Sequence, residues 1–200
     1  MNLMIYIECD FSLEGGYKWV SSGRDTAIAL TQNDAIYSME NVSVDDDGNL
    51  QYDMVQIQGG LMNVSVHKGV VWGVSSDNRM WRGDLETLRQ HAGWTEIDNE
   101  YDIVQIEIGE FGVFGVNANR EIFYRVGTHQ NSGSAGTRWQ VIPGHLSQIS
   151  VGMNHVWGVN HANQVYTSNE VNTFNEQGEI VWVDGWLHVG QKTGTSISTL

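Results

Sequence analysis

Aromatic side chains recur at one fixed place in a repeating frame: Trp72, Phe114 and Trp157, with Ile28 and Ile197 at the same place elsewhere. An indole or phenyl face can stack on the apolar face of a sugar ring, and it can equally fill the core between packed sheets. Isoleucine offers volume but no stacking face, so its presence in two copies weighs towards packing. A second aromatic set closes the last strand of each copy: Tyr37, Trp81, Phe123-Tyr124 and Tyr166. Phe123 and Tyr124 are adjacent, so in a strand they point to opposite faces and one is expected to be accessible. Asn117 and Asn160 directly follow a Gly-Val pair, where Thr31 and Ser75 stand in other copies. Asn tolerates left-handed backbone and Ser or Thr bonds its own chain, which suits tight turns; the same groups on one rim would also orient ligand hydroxyls. Together with His155 beside this strand, the expected ligand contacts are Trp72, Trp81, Asn117, Tyr124, His155, Trp157, Asn160 and Tyr166.

Other chemistries lack their residues. The seven histidines include His155 and His161, which straddle a strand and a turn, but their spacing fits no zinc site. Asp45-Asp46-Asp47-Gly48-Asn49 lacks the alternating ligands and the glutamate at the twelfth position of a calcium loop, and reads as a solvated turn. No Gly-x-Ser-x-Gly elbow, phosphate loop or metal set appears, so no enzyme, cofactor or metal is expected. Two glycosylation sequons occur; Asn63 adjoins an expected strand and is a poor acceptor, whereas Asn41 lies in an expected loop.

These residues are set by a period of about 42 residues, which implies stacked or ring-closed units. The repeats fall approximately at 11–37, 52–81, 94–123 and 139–166, with a fifth at 182–200 completed by 1–8. Each divides into short alternating segments, such as Trp139-Gln-Val141, Gln148-Ile149-Ser-Val151, Val156-Trp157-Gly-Val159 and Gln164-Val165-Tyr166, separated by Gly, Asn or His. Four short strands per copy make one propeller blade. The expectation is a single all-β domain over 1–200, a β-propeller of five blades whose closing blade is shared between the N- and C-termini, removing exposed strand edges. Only 84–91 reads as a helix, in a loop between copies. The connections 40–51, 83–93, 127–138 and 168–180 vary most and are expected at the periphery.

The composition allows this fold: 40% hydrophobic residues, 8 Trp and 7 Tyr supply a core, while 23 Gly against a single Pro suit a turn-rich β protein. Ten Lys+Arg against 24 Asp+Glu give a formal charge of −14. No basic patch is present to neutralise phosphates, so nucleic acid and anionic membrane surfaces are disfavoured as partners, and an uncharged glycan is favoured. The lone Cys9 excludes an internal disulfide and leans towards a reducing compartment. The first residues do not read as a secretory signal, and no apolar run suits membrane insertion.

The string Gly144-His-Leu146-Ser-Gln-Ile149-Ser-Val-Gly152, followed by Val156-Trp157-Gly-Val-Asn160 and Val165-Tyr166, resembles the tectonin repeat. Tyr124-Arg125-Val-Gly127 with Trp139-Gln-Val-Ile-Pro-Gly144 resembles it too. That repeat builds fish-egg lectins, the lipopolysaccharide-binding lectin of horseshoe crab, and slime-mould and fungal tectonins. The resemblance covers the whole chain, most closely over 94–166. It implies a propeller with sugar sites repeated around the ring, glycans such as bacterial lipopolysaccharide as partners, a part in innate defence, and secretion. Oligomers stay open. Six repeats are usual in the family and five are counted here, so a fragment of a six-bladed propeller is the alternative architecture. The alternative function is a cytoplasmic tectonin-type scaffold that docks proteins in membrane trafficking.

Overall fold

A computed structural model describes residues 16–23, 26–168, 173–182 and 185–190. Within them the short alternating segments form four successive four-stranded antiparallel sheets. Sheet 1 is β1 (Tyr17–Ser22), β2 (Thr26–Thr31), β3 (Ala35–Val44) and β4 (Leu50–Gly60). Sheet 2 is β5 (Asn63–His67), β6 (Val70–Val74), β7 (Met80–Asp84) and β8 (Thr95–Ile97), with helix α1 (Leu85–Arg89) before its last strand. Sheet 3 is β9 (Ile103–Gly109), β10 (Gly112–Asn117), β11 (Glu121–Arg125) and β12 (Trp139–His145). Sheet 4 is β13 (Gln148–Val151), β14 (Val156–Val159), β15 (Val165–Ser168) and β18 (Trp186–His188). A ribbon of β16 (Thr173–Phe174) and β17 (Ile180–Val181) lies before β18.

The first strands β1, β5, β9 and β13 stand side by side, and residues from all four line one channel of about 440 Å3. This is a propeller-like ring of blades. Each sheet packs on the next through an apolar seam. Ile28, Leu30, Ile36 and Ile57 of sheet 1 share a cluster with Leu61, Val64, Val66 and Val71 of sheet 2. Trp72, Val74 and Met80 meet Ile103, Ile106 and Phe123 of sheet 3, and Phe114, Ile122 and Tyr124 meet Leu146, Ile149 and Tyr166 of sheet 4. The glycine after Trp72, Phe114 and Trp157 answers instead to closeness within each sheet, beside the start of its first strand. A Cβ on Gly73, Gly115 or Gly158 would stand 2.4, 2.5 or 2.5 Å from Leu61, Ile103 or Leu146, and 2.9, 3.1 or 2.8 Å from a strand carbonyl.

Polar side chains pin the same seams at the innermost strands. Trp19 Nε1 donates to the Val64 carbonyl at 2.8 Å, Asn63 Oδ1 accepts from the Ile106 amide at 2.7 Å, and Gln105 takes both the amide and the carbonyl of Ile149 at 3.2 and 3.0 Å. Trp19, Asn63 and Gln105 occupy one repeat position, and so do Val64, Ile106 and Ile149. Asn63 is therefore committed to the core, and its sequon offers no accessible amide.

Three expectations change. The sheets begin one strand later than the sequence repeats: the opening strand of a repeat, such as Trp139–His145, is the fourth strand of the preceding sheet. The long connections fall inside sheets, between third and fourth strands, while the links between sheets are short, at 61–62, 98–102 and 146–147. The helix at 84–91 accordingly lies within sheet 2, capped by Asp84, whose carboxylate accepts from the Thr87 amide. Most of 40–51 is not loop either, since β3 and β4 extend to a tight turn at 45–49. The fifth unit, 182–200 completed by 1–8, lies outside the described residues apart from 182 and 185–190, which include the outer strand of sheet 4.

Candidate functional site

Every sheet turns from its second to its third strand on the same rim, through a four-residue turn closed by a backbone hydrogen bond. The bonds run from Asp34 to Thr31, Asn78 to Ser75, Arg120 to Asn117 and Asn163 to Asn160. Asn117 and Asn160 head two of these turns and are largely consumed by them. Asn117 Oδ1 accepts from the Glu121 amide at 3.0 Å and its Nδ2 donates to Glu121 Oε2 at 2.8 Å, while Asn160 Oδ1 accepts from the Gln164 amide at 3.0 Å and its Nδ2 donates to Gln164 Oε1 at 3.0 Å.

Between sheets 1 and 2 this rim opens into a cleft of about 560 Å3. Gly59 and Gly60 form one wall, with the Ser75–Arg79 turn opposite and the half-buried indoles of Trp81 and Trp94 between. Trp81 Nε1 donates to Ser75 Oγ at 3.1 Å, and the Arg79 guanidinium lies 5.0 Å from the centre of a Trp81 ring. Arg79 Nε also donates to Asp77 Oδ2 at 2.8 Å, and Ser75 Oγ lies 2.5 Å from Asp77 Oδ1. The hydrogen bonds from Ser75 and then Arg79 hold the exposed Asp77 carboxyl below its ordinary range, so it stays ionised. Trp94 Nε1 donates to the Gln58 carbonyl at 2.8 Å. Its indole lies over Gly59, where φ is +114° and a side chain would be strained.

This tryptophan latch recurs at each described seam. Trp139 donates to the Asp98 carbonyl at 3.0 Å and Trp186 to the Pro143 carbonyl at 2.7 Å. Both of those indoles are buried, and so are Phe123 and Tyr166, the counterparts of Trp81. Only at the first seam, among the described residues, are the latch and its partner aromatic both half-open. A ligand there meets two indoles and a fixed polar edge of Ser76, Asp77 and Arg79. On the same rim, sheets 3 and 4 enclose about 330 Å3 lined by Asn119, Arg120, His145, Asn160 and His161.

The other sequence-derived site residues separate. Trp72 is fully buried at the seam, its Nε1 facing the Ser132 carbonyl at 3.3 Å, which leaves no ring face for a ligand. Tyr124 is fully buried with its hydroxyl accepting from the His129 amide, and Tyr166 is buried with its hydroxyl on Gln164. The expectation that Phe123 or Tyr124 is accessible fails because sheet 3 is covered on both faces, by sheets 2 and 4. His155 is half-buried, its Nδ1 facing the Ser168 carbonyl at 3.2 Å. Trp157, at the position of Trp72 and Phe114, is 45% exposed on sheet 4, far from the cleft of Trp81 in the order of sheets. Trp94, Asp77, Arg79, Arg120, His145 and His161 were not expected; of these only Trp94 carried a signal, a tryptophan opening an outer strand just after Gly93.

A family model described as Tectonin domain matches residues 8–197. No curated protein matches the chain. Among solved structures, human WBSCR16 is similar at 15% identity with a TM-score of 0.58, over 80% of this chain and 49% of that one. Prp20p from Saccharomyces cerevisiae is similar at 12% identity with a TM-score of 0.57, over 88% of this chain and 51% of that one. At such identities the likeness concerns the fold, and the chain spans about half the length of these two structures.

Proposed function

The chain belongs to the tectonin-domain family, and from that premise we propose that it binds glycans non-covalently, as a lectin of microbial or cell-surface sugars such as lipopolysaccharide. The half-open pair Trp81 and Trp94 carries this reading, because every corresponding aromatic at the other described seams is buried. A sugar presents an apolar C–H face, which an indole accepts, and a ring of hydroxyls, which Asp77, Arg79 and Ser76 can bond. Asp77 accepts and Arg79 donates, so both hydrogen-bonding senses of a hydroxyl are met. Repetition of the rim turns gives further shallow sites, and avidity on a polyvalent surface offsets weak single sites. Such targets lie outside the cell, so secretion and a role in innate defence form part of the same proposal.

The test is intrinsic tryptophan fluorescence, titrated with simple and methylated hexoses and then with lipopolysaccharide. Saturable changes are expected in the native protein. Trp81→Ala and Trp94→Ala should each weaken binding by about tenfold, the effect of losing roughly 1.4 kcal/mol of contact. Unchanged affinity in both variants would remove the cleft from the reading.

A further inference from the structure

The rim at the three described seams can be compared position by position. Gly60 pairs with Ala35 as His145 pairs with Glu121, and the Leu61 amide donates to the Asp34 carbonyl as the Leu146 amide does to the Arg120 carbonyl. The equivalent positions are then Asp34, Gly60, Ser75 and Ser76 at the first seam, and Asn78, Asp102, Asn117 and Ala118 at the second. At the third they are Arg120, His145, Asn160 and His161. The first two seams carry an aspartate and no basic group at these positions. The third carries a guanidinium and two imidazoles, and no acidic side chain lines its cleft. In a chain of formal charge −14 the third cleft is lined by basic groups with no acidic side chain, whereas Arg79 in the first is paired with Asp77.

The backbone supplies a second observation. The last residue of each rim turn has positive φ: 66° at Asp34, 63° at Asn78, 68° at Arg120 and 60° at Asn163. Asp and Asn tolerate this region because their short polar side chains bond locally, and arginine has no such relief. Arg120 therefore holds an unfavourable conformation where the other turns use a residue suited to it. Lys68, His91 and Gln130 hold positive φ elsewhere, so the strain sets Arg120 apart among the rim turns and the lining of the cleft gives it its meaning.

We propose that the cleft between sheets 3 and 4 is an anion subsite, taking an oxyanion substituent, phosphate or carboxylate, of a bound glycan. Arg120 supplies a permanent charge and a planar fork of donors matched to an oxyanion. His145 and His161 each have a ring N–H to donate in either protonation state, and Asn119 adds an amide. About 330 Å3 accommodates one sugar unit. The inference deepens the glycan reading and rests on it for the identity of the ligand, though not for its charge.

Isothermal titration of the intact chain with glucose 6-phosphate, glucose and inorganic phosphate tests it. Glucose 6-phosphate should bind at least about tenfold more tightly than glucose. Arg120→Asn, which installs the residue of the equivalent turns, should abolish that preference while the thermal midpoint holds or rises. The double variant His145→Ala/His161→Ala should reduce it in the same direction. Equal affinity for the two sugars, or a preference that survives both variants, overturns the subsite. Arg120-dependent binding of inorganic phosphate with no gain from the sugar would uphold the anion site and remove the glycan from it. Unchanged binding of neutral sugars in Trp81→Ala and Trp94→Ala, with the phosphate preference intact, would remove the first cleft from the glycan reading and leave the anion subsite standing.

Discussion

Glu107 projects from β9 into the central channel, where Ser65 Oγ donates to its Oε2 at 3.1 Å. Burial outweighs the hydrogen bonds from Ser65 and Gln105, so its carboxyl is pushed up to about 7. The folded state then keeps a proton that the unfolded chain releases near pH 4.3. Stability from this group is intact below that value and is lost as pH rises towards 7. Measured by urea unfolding, Glu107→Gln should gain on the native protein by roughly 3 kcal/mol between pH 4.5 and 8. A difference that stays flat with pH would show that burial does not control this carboxyl. Nothing in the repeat marks Glu107, because its effect depends on the channel that four distant strands create. Trp72 and Trp157 show the same limit: one repeat position is closed in sheet 2 and open in sheet 4, and the repeat itself carries no sign of the difference. Arg120 was hidden for another reason, since a solvent-facing turn residue leaves no periodic trace.

At the scale of the strand, alternation and glycine spacing made nearly every described segment legible, including the helix at 84–91. The grouping of strands into sheets was not. A repeat aligns equally well from any starting strand, and loop length misled because the long loops sit within sheets. What separates one sheet from the next is a set of side-chain bridges between inner strands. Gln105→Ala would strand the buried amide and carbonyl of Ile149 at once. It should cost about 2–3 kcal/mol in chemical unfolding, the upper range for unpaired buried polar groups. A loss below 0.5 kcal/mol, as an ordinary surface change gives, would show that water replaces the bridge.

Over the molecule, each seam couples one sheet to its neighbour, so stability should resemble a chain of nearest-neighbour terms. Sheets 2 and 3 have a described seam on both sides. Hydrogen exchange should therefore be slow in β6 and β10, around Val71–Val74 and Val113–Val116, and faster in the exposed turn at 45–49. Equal protection in the turn and in these two strands would show that the seams add nothing to local stability. The propeller class was readable from the period alone, and four of its blades stand among the described residues. The open first cleft and the basic lining of the third were not readable, because both are departures from the repeat and a repeat reports what its copies share.

Three of the bridges between inner strands differ in their chemistry, beside a serine hydroxyl that accepts from an amide at each of the first two seams. An indole N–H seeks a carbonyl, an asparagine oxygen seeks an amide hydrogen, and a glutamine engages both at once. They all reach forward, from each blade to its successor. The array thus has a direction as well as a stack: at each described seam the earlier blade supplies the side chain and its successor presents bare backbone, so the sense of travel round the ring is written in which partner holds the handle.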